Sequence, residues 1–333
     1  METSLRPLSL GEILDRTAQL YRTNFVLFAG IASVYAGVML VLNLLQIGLS
    51  ELLRTLHMTQ QLQLVSLAYI ILLLPLALIV AGAAMAANNR AVAWVNLGEP
   101  ATIRGAYKSI LPHIGRYLWL MTIAAFIVYL PFAVIYGAYT LLLFFYVRPK
   151  GVLAHAAAGA DPHATLIFGI ATVALILLSI PAIVYAVIMA LRYSLAVPAC
   201  VVENLKARKA LRRSVELSKG SRGRIFVLGL LIIFIQTGLV VVSQIFFVIA
   251  AVKHHGLLPV WAQVAQQIIG FFSNSFIGPM YATVLTLFYY DQRVRKEGYD
   301  IEWMMQAAGL TAPAQPAELP QPSAPQESEN TNE

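Results

Sequence analysis

The sequence predicts an all-α integral membrane protein: six transmembrane helices in three hairpins, each hairpin preceded by an amphipathic helix on the cytoplasmic surface. Three observations carry this. Hydrophobic residues make up 59% of the 333 residues and charged ones 12%, about half the roughly 25% charged content of a soluble domain. The apolar residues gather in six runs, at about 25–49, 64–87, 117–147, 165–191, 225–252 and 260–290. Each is near or above the roughly 20 residues that cross about 30 Å of hydrocarbon. The 23 Lys and Arg collect between alternate runs, as expected where one side of a bilayer gathers positive charge.

The chain opens METSLRPLSL, with an early Glu2 and no apolar run before about residue 25. Insertion is therefore expected to use the first spanning helix rather than a cleaved signal peptide. Ser9 followed by Glu12 is a capping box, and Leu8 and Ile13 occupy the two positions of a hydrophobic staple, so a helix should start at Leu10. Leu10, Ile13, Leu14, Ala18, Tyr21 and Phe25 recur at three- and four-residue spacing, with Glu12, Asp15, Arg16, Gln19 and Arg22 on the other face. That pattern suits a helix lying along the membrane surface.

The third and sixth runs are too long for a straight crossing, and their Pro131 and Pro279 allow a kink. Pro75, Pro181 and Pro279 lie inside the second, fourth and sixth runs, followed by Arg90, Arg192 and Arg293 near the ends of those runs. The polar stretches leading into runs one, three and five also correspond: LSLGEILDRTAQLYRTNF, EPATIRGAYKSILPHIGRY and KARKALRRSVELSKGSRGRIF. The pattern suggests a membrane domain over 1–308 built from three units, about 8–90, 99–197 and 204–296. From 309 to 333 the chain is proline-rich with almost no large apolar residue, and is expected to be a disordered cytoplasmic tail.

Charge sets the orientation. Arg6, Arg16, Arg22, Arg90, Arg104, Lys108, Arg116, Arg293, Arg295 and Lys296 fall on one side, with the eight cations of 204–224. That makes 18, against only Arg54, Arg148, Lys150 and Lys253 on the other side, with Arg192 at a helix end. Both termini are thereby expected in the cytoplasm, and the protein in a bacterial inner membrane. The densest cluster is Lys206, Arg208, Lys209, Arg212, Arg213, Lys219, Arg222 and Arg224. These eight are candidates for contact with anionic lipid or a protein partner, the alternative being that they only set topology. Gly220 is expected to stop the helix that carries most of them. SKGSRGR, 218–224, lacks the residue order of a phosphate loop, so no nucleotide site is expected.

No Asp or Glu falls inside any run, which weighs against a transporter coupled to protons or sodium. Asn43, Gln236, Gln244 and Asn274 do lie at depth. Helix-to-helix hydrogen bonds are the first reading for them and a substrate site the second. His57, His155, His163, His254 and His255, with Asp161, fall on the predicted outer side. Imidazole and carboxylate suit zinc or copper, but the spacing matches no ligand pattern and loop histidines are common, so no metal or cofactor is expected. The single Cys200 reads as a small buried hydrophobe, with a reactive thiol as the alternative. At the end of the last run, Asp291 and Arg295 form an i,i+4 pair. Asp15, Arg16, Arg192, Asp291, Arg293 and Arg295 are candidates for interhelix polar contacts, and the polar face of 289–302 is expected to dock on the Asp15 and Arg16 face of the first helix, closing a ring of three units.

LSLGEILDRTAQLYRTNF, ALRRSVELSKGSRGRIF and FYYDQRVRKEGYDIE together resemble the membrane-domain family named after bacterial glycerophosphoryl diester phosphodiesterases, over residues 5 to 305. In enzymes with both parts, the resemblance implies, this region is joined to a separate catalytic barrel using metal-bound carboxylates and histidines. Here a short proline-rich tail follows instead, so no catalytic residue carries over and no enzyme activity is expected. The expected function is a non-enzymatic component that anchors or organises a lipid or a protein partner at the cytoplasmic face, with no role for nucleic acid. The alternative is a transporter or lipid-handling permease, suggested by the repeats and proline-broken helices. A polar cleft at the midplane, lined by Gln236, Asn274 or Arg192, would favour the permease; a closely packed apolar centre would favour the scaffold.

Overall fold

The computed structural model describes residues 7–142, 162–253, 258–299, 301 and 305. Arg6, Arg148, Lys150, His155, Asp161, His254, His255, the side chain of His163 and the tail from 309 lie outside the described residues. The described chain is helical throughout, with no strand. In order the helices are α1 (Leu10–Thr23), α2 (Phe25–Thr55), α3 (Thr59–Asn96), α4 (Ile103–Ile110), α5 (Ile114–Leu142), α6 (Pro162–Tyr193), α7 (Ala196–Val202), α8 (Ala207–Ser218), α9 (Arg222–Lys253) and α10 (Val260–Glu297), with one turn of 3-10 helix (Leu111–His113) before α5. Six of them, α2, α3, α5, α6, α9 and α10, are long and apolar enough to cross a membrane.

α1 begins where its signals place it. Ser9 Oγ accepts from the amide of Glu12, and the Ser9 amide donates to Glu12 Oε2 at 2.7 Å. Two of the four orphan donors of the helix start are satisfied in this way. α8 ends at Ser218, and Gly220 turns the chain with φ +82°, a left-handed conformation that a side chain would strain. The helices continue through Pro131, Pro181 and Pro279. One turn before Pro279, the carbonyl of Phe276 accepts a hydrogen bond from the Tyr21 hydroxyl of α1. The missing proline N–H and the ring's clash disturb regular bonding at that level, and α1 is fastened there.

The second half of α10 is the centre of the bundle. From Ala282 to Gln292 every residue is buried, as happens when a helix is surrounded rather than laid on a surface. α10 packs on α2, α3 and α9 and on the short α1, α7 and α8. α5 and α6 pack on each other at the periphery and leave Phe126, Val134, Ile170 and Leu177 exposed, a surface suited to hydrocarbon and unsuited to water.

α7 was not anticipated. The expected fourth run ends at 191, whereas the chain breaks at Ser194 and Leu195 and then makes a separate helix whose residues Ala196 to Val201 are all buried. Ser214 of α8 holds this break: its Oγ accepts from the Leu195 amide at 3.1 Å and donates to the Arg192 carbonyl at 2.9 Å. Cys200 lies on α7, fully buried, with its thiol on the Leu205 carbonyl.

Candidate functional site

A cleft of about 790 Å³ opens between α9 and α10, within the roughly 300–1,000 Å³ of small-molecule pockets. Its geometry follows from helical spacing. Gln236, Val240, Ser243, Gln244 and Phe247 of α9 fall at three- and four-residue intervals, as do Gln266, Gly270, Ser273, Asn274 and Ile277 of α10, so each set forms one stripe. Gln266 Nε2 donates to Gln244 Oε1 at 3.3 Å across the pair. In this antiparallel register Gln236 and Asn274 lie eight residues further along each helix, about 12 Å deeper at 1.5 Å per residue. Gly270 leaves the middle open, because a Cβ added there meets nothing within 4 Å.

Gln236 lies 14 residues after the Arg222 start of its helix and 17 before Lys253, near the middle of a segment long enough to span. Among the described residues seven lining residues carry polar side chains, Gln236, Ser243, Gln244, Gln266, Gln267, Ser273 and Asn274, and none is charged. Asn274 donates to the Gly270 carbonyl and Ser243 to that of Val240, both within their own helices. Gln236, Gln267 and Ser273 have no hydrogen-bond partner among the described residues. Val240, Phe247, Phe272 and Phe276 supply apolar walls. A smaller hollow of about 320 Å³ between α6, α9 and α10, lined by Ser194, Ile225 and Tyr281, shares Gln236 with the cleft.

Of the residues marked at depth, Gln236, Gln244 and Asn274 are therefore brought together, while Asn43 accepts from Tyr69 of α3 at 3.2 Å, a bond between α2 and α3. Arg192 is not in the cleft; its guanidinium lies over Tyr193 with Nε buried and unpaired. Gln266, Gln267, Ser243 and Ser273 were missed, although their spacing in the sequence carries the signal.

The second polar assembly closes the basic end of the bundle. Asp291, its side chain fully buried, accepts from the Leu8 amide at 2.7 Å and pairs with Arg224 at 3.3 Å and Arg295 at 3.0 Å. Contrary to the sequence-based expectation, Asp291 does not dock on Asp15 and Arg16. α10 packs on the apolar face of α1, but Asp291 meets the chain just before α1, at Leu8, and Asp15 stays exposed beside Gln19 and Arg22. Arg16 is half-buried with no partner among the described residues.

Arg213 donates to Glu203 at 2.9 Å and to Glu297 at 2.7 Å. Burial pulls its guanidinium down, but the bonds to Glu297 and Glu203 outweigh that and hold it above the ordinary arginine value. Arg293 reaches Glu297 at 3.2 Å and lies 3.9 Å over the Tyr299 ring, and Tyr289 donates to Glu203 at 2.6 Å. Glu203, the acceptor at the centre, was missed, because a lone carboxylate between apolar and basic stretches carries no motif.

Two of the eight cations of 204–224, Arg213 and Arg224, are thus engaged inside the protein. Lys206, Arg208, Lys209, Arg212 and Lys219 are exposed with no side-chain partner among the described residues, and Arg222 is half-buried with Nε unpaired. Among the described residues there is no group of three or more His, Cys, Asp or Glu that could hold a metal. No protein-family model, curated protein or solved structure matches the chain, and nothing in those comparisons links it to the phosphodiesterase membrane-domain family.

Proposed function

We propose that this chain is a multi-pass membrane protein that binds an amphiphile in the α9–α10 cleft, in the manner of a lipid-handling permease. The observation that carries the reading is a cleft that reaches helix mid-length at Gln236, with three polar side chains unpaired among the described residues, Gln236, Gln267 and Ser273, beside aromatic and aliphatic walls. In hydrocarbon each unpaired amide costs several kcal/mol, so such groups call for an occupant that is polar at one end and apolar at the other. The arrangement we infer is three hairpins, α2–α3, α5–α6 and α9–α10, with α1, α4 and α8 along the cytoplasmic surface of a bacterial inner membrane and both termini inside. The order short helix, long helix, long helix occurs three times and supports it.

A second reading, an anchor for anionic lipid or a protein partner at the cytoplasmic face, is supported by one observation. Lys206, Arg208, Lys209, Arg212 and Lys219 project from one short segment with no ion-pair partner among the described residues, and near an anionic leaflet each contributes about 1 kcal/mol before screening. Neither reading calls for catalysis.

Lipid retained by the full chain through detergent extraction tests the two together by mass spectrometry. The cleft reading expects a bound lipid that is lost in Gln236→Leu/Gln267→Leu and kept when Arg208, Lys209 and Arg212 are changed to Gln. The reverse pattern favours the anchor, and a preparation without retained lipid removes the cleft reading.

A further inference from the structure

We infer that the occupant of the α9–α10 cleft carries an uncharged, hydroxyl-rich headgroup, a polyol or sugar joined to acyl chains; this rests on the cleft being an amphiphile site. The first argument is charge. Among the described residues no lining side chain is ionisable. At the deep end of the cleft the cations along the helices are distant: Arg224 lies 12 residues from Gln236, about 18 Å of helix, and Arg293 lies 19 residues from Asn274, about 28 Å, while Lys253 at the opposite end of α9 lies 17 residues from Gln236, about 26 Å, and nine from Gln244. A phosphate or an ammonium placed at Gln236 would be stripped of water with no opposite charge beside it, which is strongly unfavourable.

The second argument is hydrogen-bond polarity. Each glutamine presents two N–H donors and a carbonyl acceptor, and a serine hydroxyl presents both. Gln236, Gln267 and Ser273 have all of these unspent. A phosphate or carboxylate only accepts and would leave the carbonyl oxygens unpaired; an ammonium only donates and would leave the amide hydrogens unpaired. A set of hydroxyls does both. The third argument is the wall: Phe247, Phe272 and Phe276 border the polar stripe, so chains attached to the headgroup stay in apolar surroundings while it is held by the amides.

The test compares lipids with identical chains. The delipidated full chain in detergent is titrated with dioctanoylglycerol, its galactosylated form and dioctanoyl phosphatidic acid, and bound species are counted by native mass spectrometry. The expected result is that a neutral lipid binds about tenfold or more tighter than phosphatidic acid, the ratio given by one or two hydrogen bonds made or lost in a buried site. That advantage should vanish in Gln236→Leu/Gln267→Leu. Gln267→Lys should weaken the neutral lipid and admit phosphatidic acid, a gain that a misfolded variant would not give. Phosphatidic acid binding as well as the neutral lipids, with the same dependence on the two glutamines, would overturn the headgroup assignment and leave the amphiphile site standing. Absence of binding by all three, or binding indifferent to every cleft substitution, would overturn both.

Discussion

The main-chain amide of Leu8 donates to the carboxylate of Asp291 at 2.7 Å, and the carbonyl of the same Leu8 accepts from Arg224 at 2.8 Å and Arg295 at 2.6 Å. The start of the described chain and the end of its last long helix are thus held by one residue's peptide groups. Two guanidiniums complete the charge balance around a carboxylate that has no access to solvent. Asp291→Ala leaves both arginines without their counter-charge and the Leu8 amide without its acceptor, and is expected to cost about 3 kcal/mol, read as a lowered unfolding temperature of the full chain in detergent. Removing residues 1–8 should give a smaller drop in the same direction, since Arg224 and Arg295 keep Asp291. Unchanged unfolding in both would remove this latch as a source of stability.

Arg213 joins α8 to Glu203, after α7, and to Glu297, at the end of α10. Lysine keeps the charge and loses the fork that serves two carboxylates at once, so Arg213→Lys is expected to lose about 1–2 kcal/mol. Because the two changes share one interaction, Glu297→Gln should cost less in the Arg213→Lys background than alone. Simple additivity in a double-mutant cycle would contradict the pairing.

Thr286 of α10 donates to Asn89 Oδ1 of α3 at 2.6 Å, with both residues fully buried. Thr286→Val preserves shape and deletes the donor, and is expected to destabilise by about 1 kcal/mol, the scale of an interhelix bond in a membrane protein. Asn89→Leu/Thr286→Val should recover part of the loss, because no unpaired polar group then remains at that contact. Equal unfolding temperatures for the wild type and the single valine variant would argue against the bond.

Gly30 of α2 is where α4 comes close: a Cβ there would overlap Ile103 Cδ1. The obstacle is the flexible tip of a side chain, so Gly30→Ala should be accommodated at a cost of about 1 kcal/mol or less. Gly30→Leu has no such escape and should push α4 off α2, breaking the 2.7 Å bond from the Tyr107 hydroxyl to the Ile31 carbonyl. Protease sensitivity between α3 and α5 should rise for leucine and not for alanine.

The orientation is testable with Cys200→Ser, a change that keeps a donor toward the Leu205 carbonyl at a fully buried position. In that background Lys209→Cys, on the exposed face of α8, is expected to resist membrane-impermeant maleimide in intact cells and to react after permeabilisation. Labelling of intact cells would invert the orientation we propose.

What the residues alone could say is local. Six apolar runs, the Ser9 and Glu12 cap and the Gly220 stop depend on spacing within one helix turn or on the solvent each segment tolerates, and all are written in consecutive residues. Tertiary structure decided which segment is central and which polar groups meet. α10 is the more polar of the two, with Gln266, Gln267, Asn274 and a charged end, yet it is enclosed from Ala282 to Gln292 while the more apolar α5 faces outward. Asp291 and Leu8 are separated by 283 positions, and the partners of Arg213 lie 10 and 84 away. Gln236 and Asn274, weighed singly, read as interhelix glue; the register of α9 against α10 is what sets them at one level and leaves Gln236, Gln267 and Ser273 unpaired. A hydrogen bond is a distance between two atoms, and a sequence specifies that distance only within its own helix; between helices it is fixed by packing of the whole bundle.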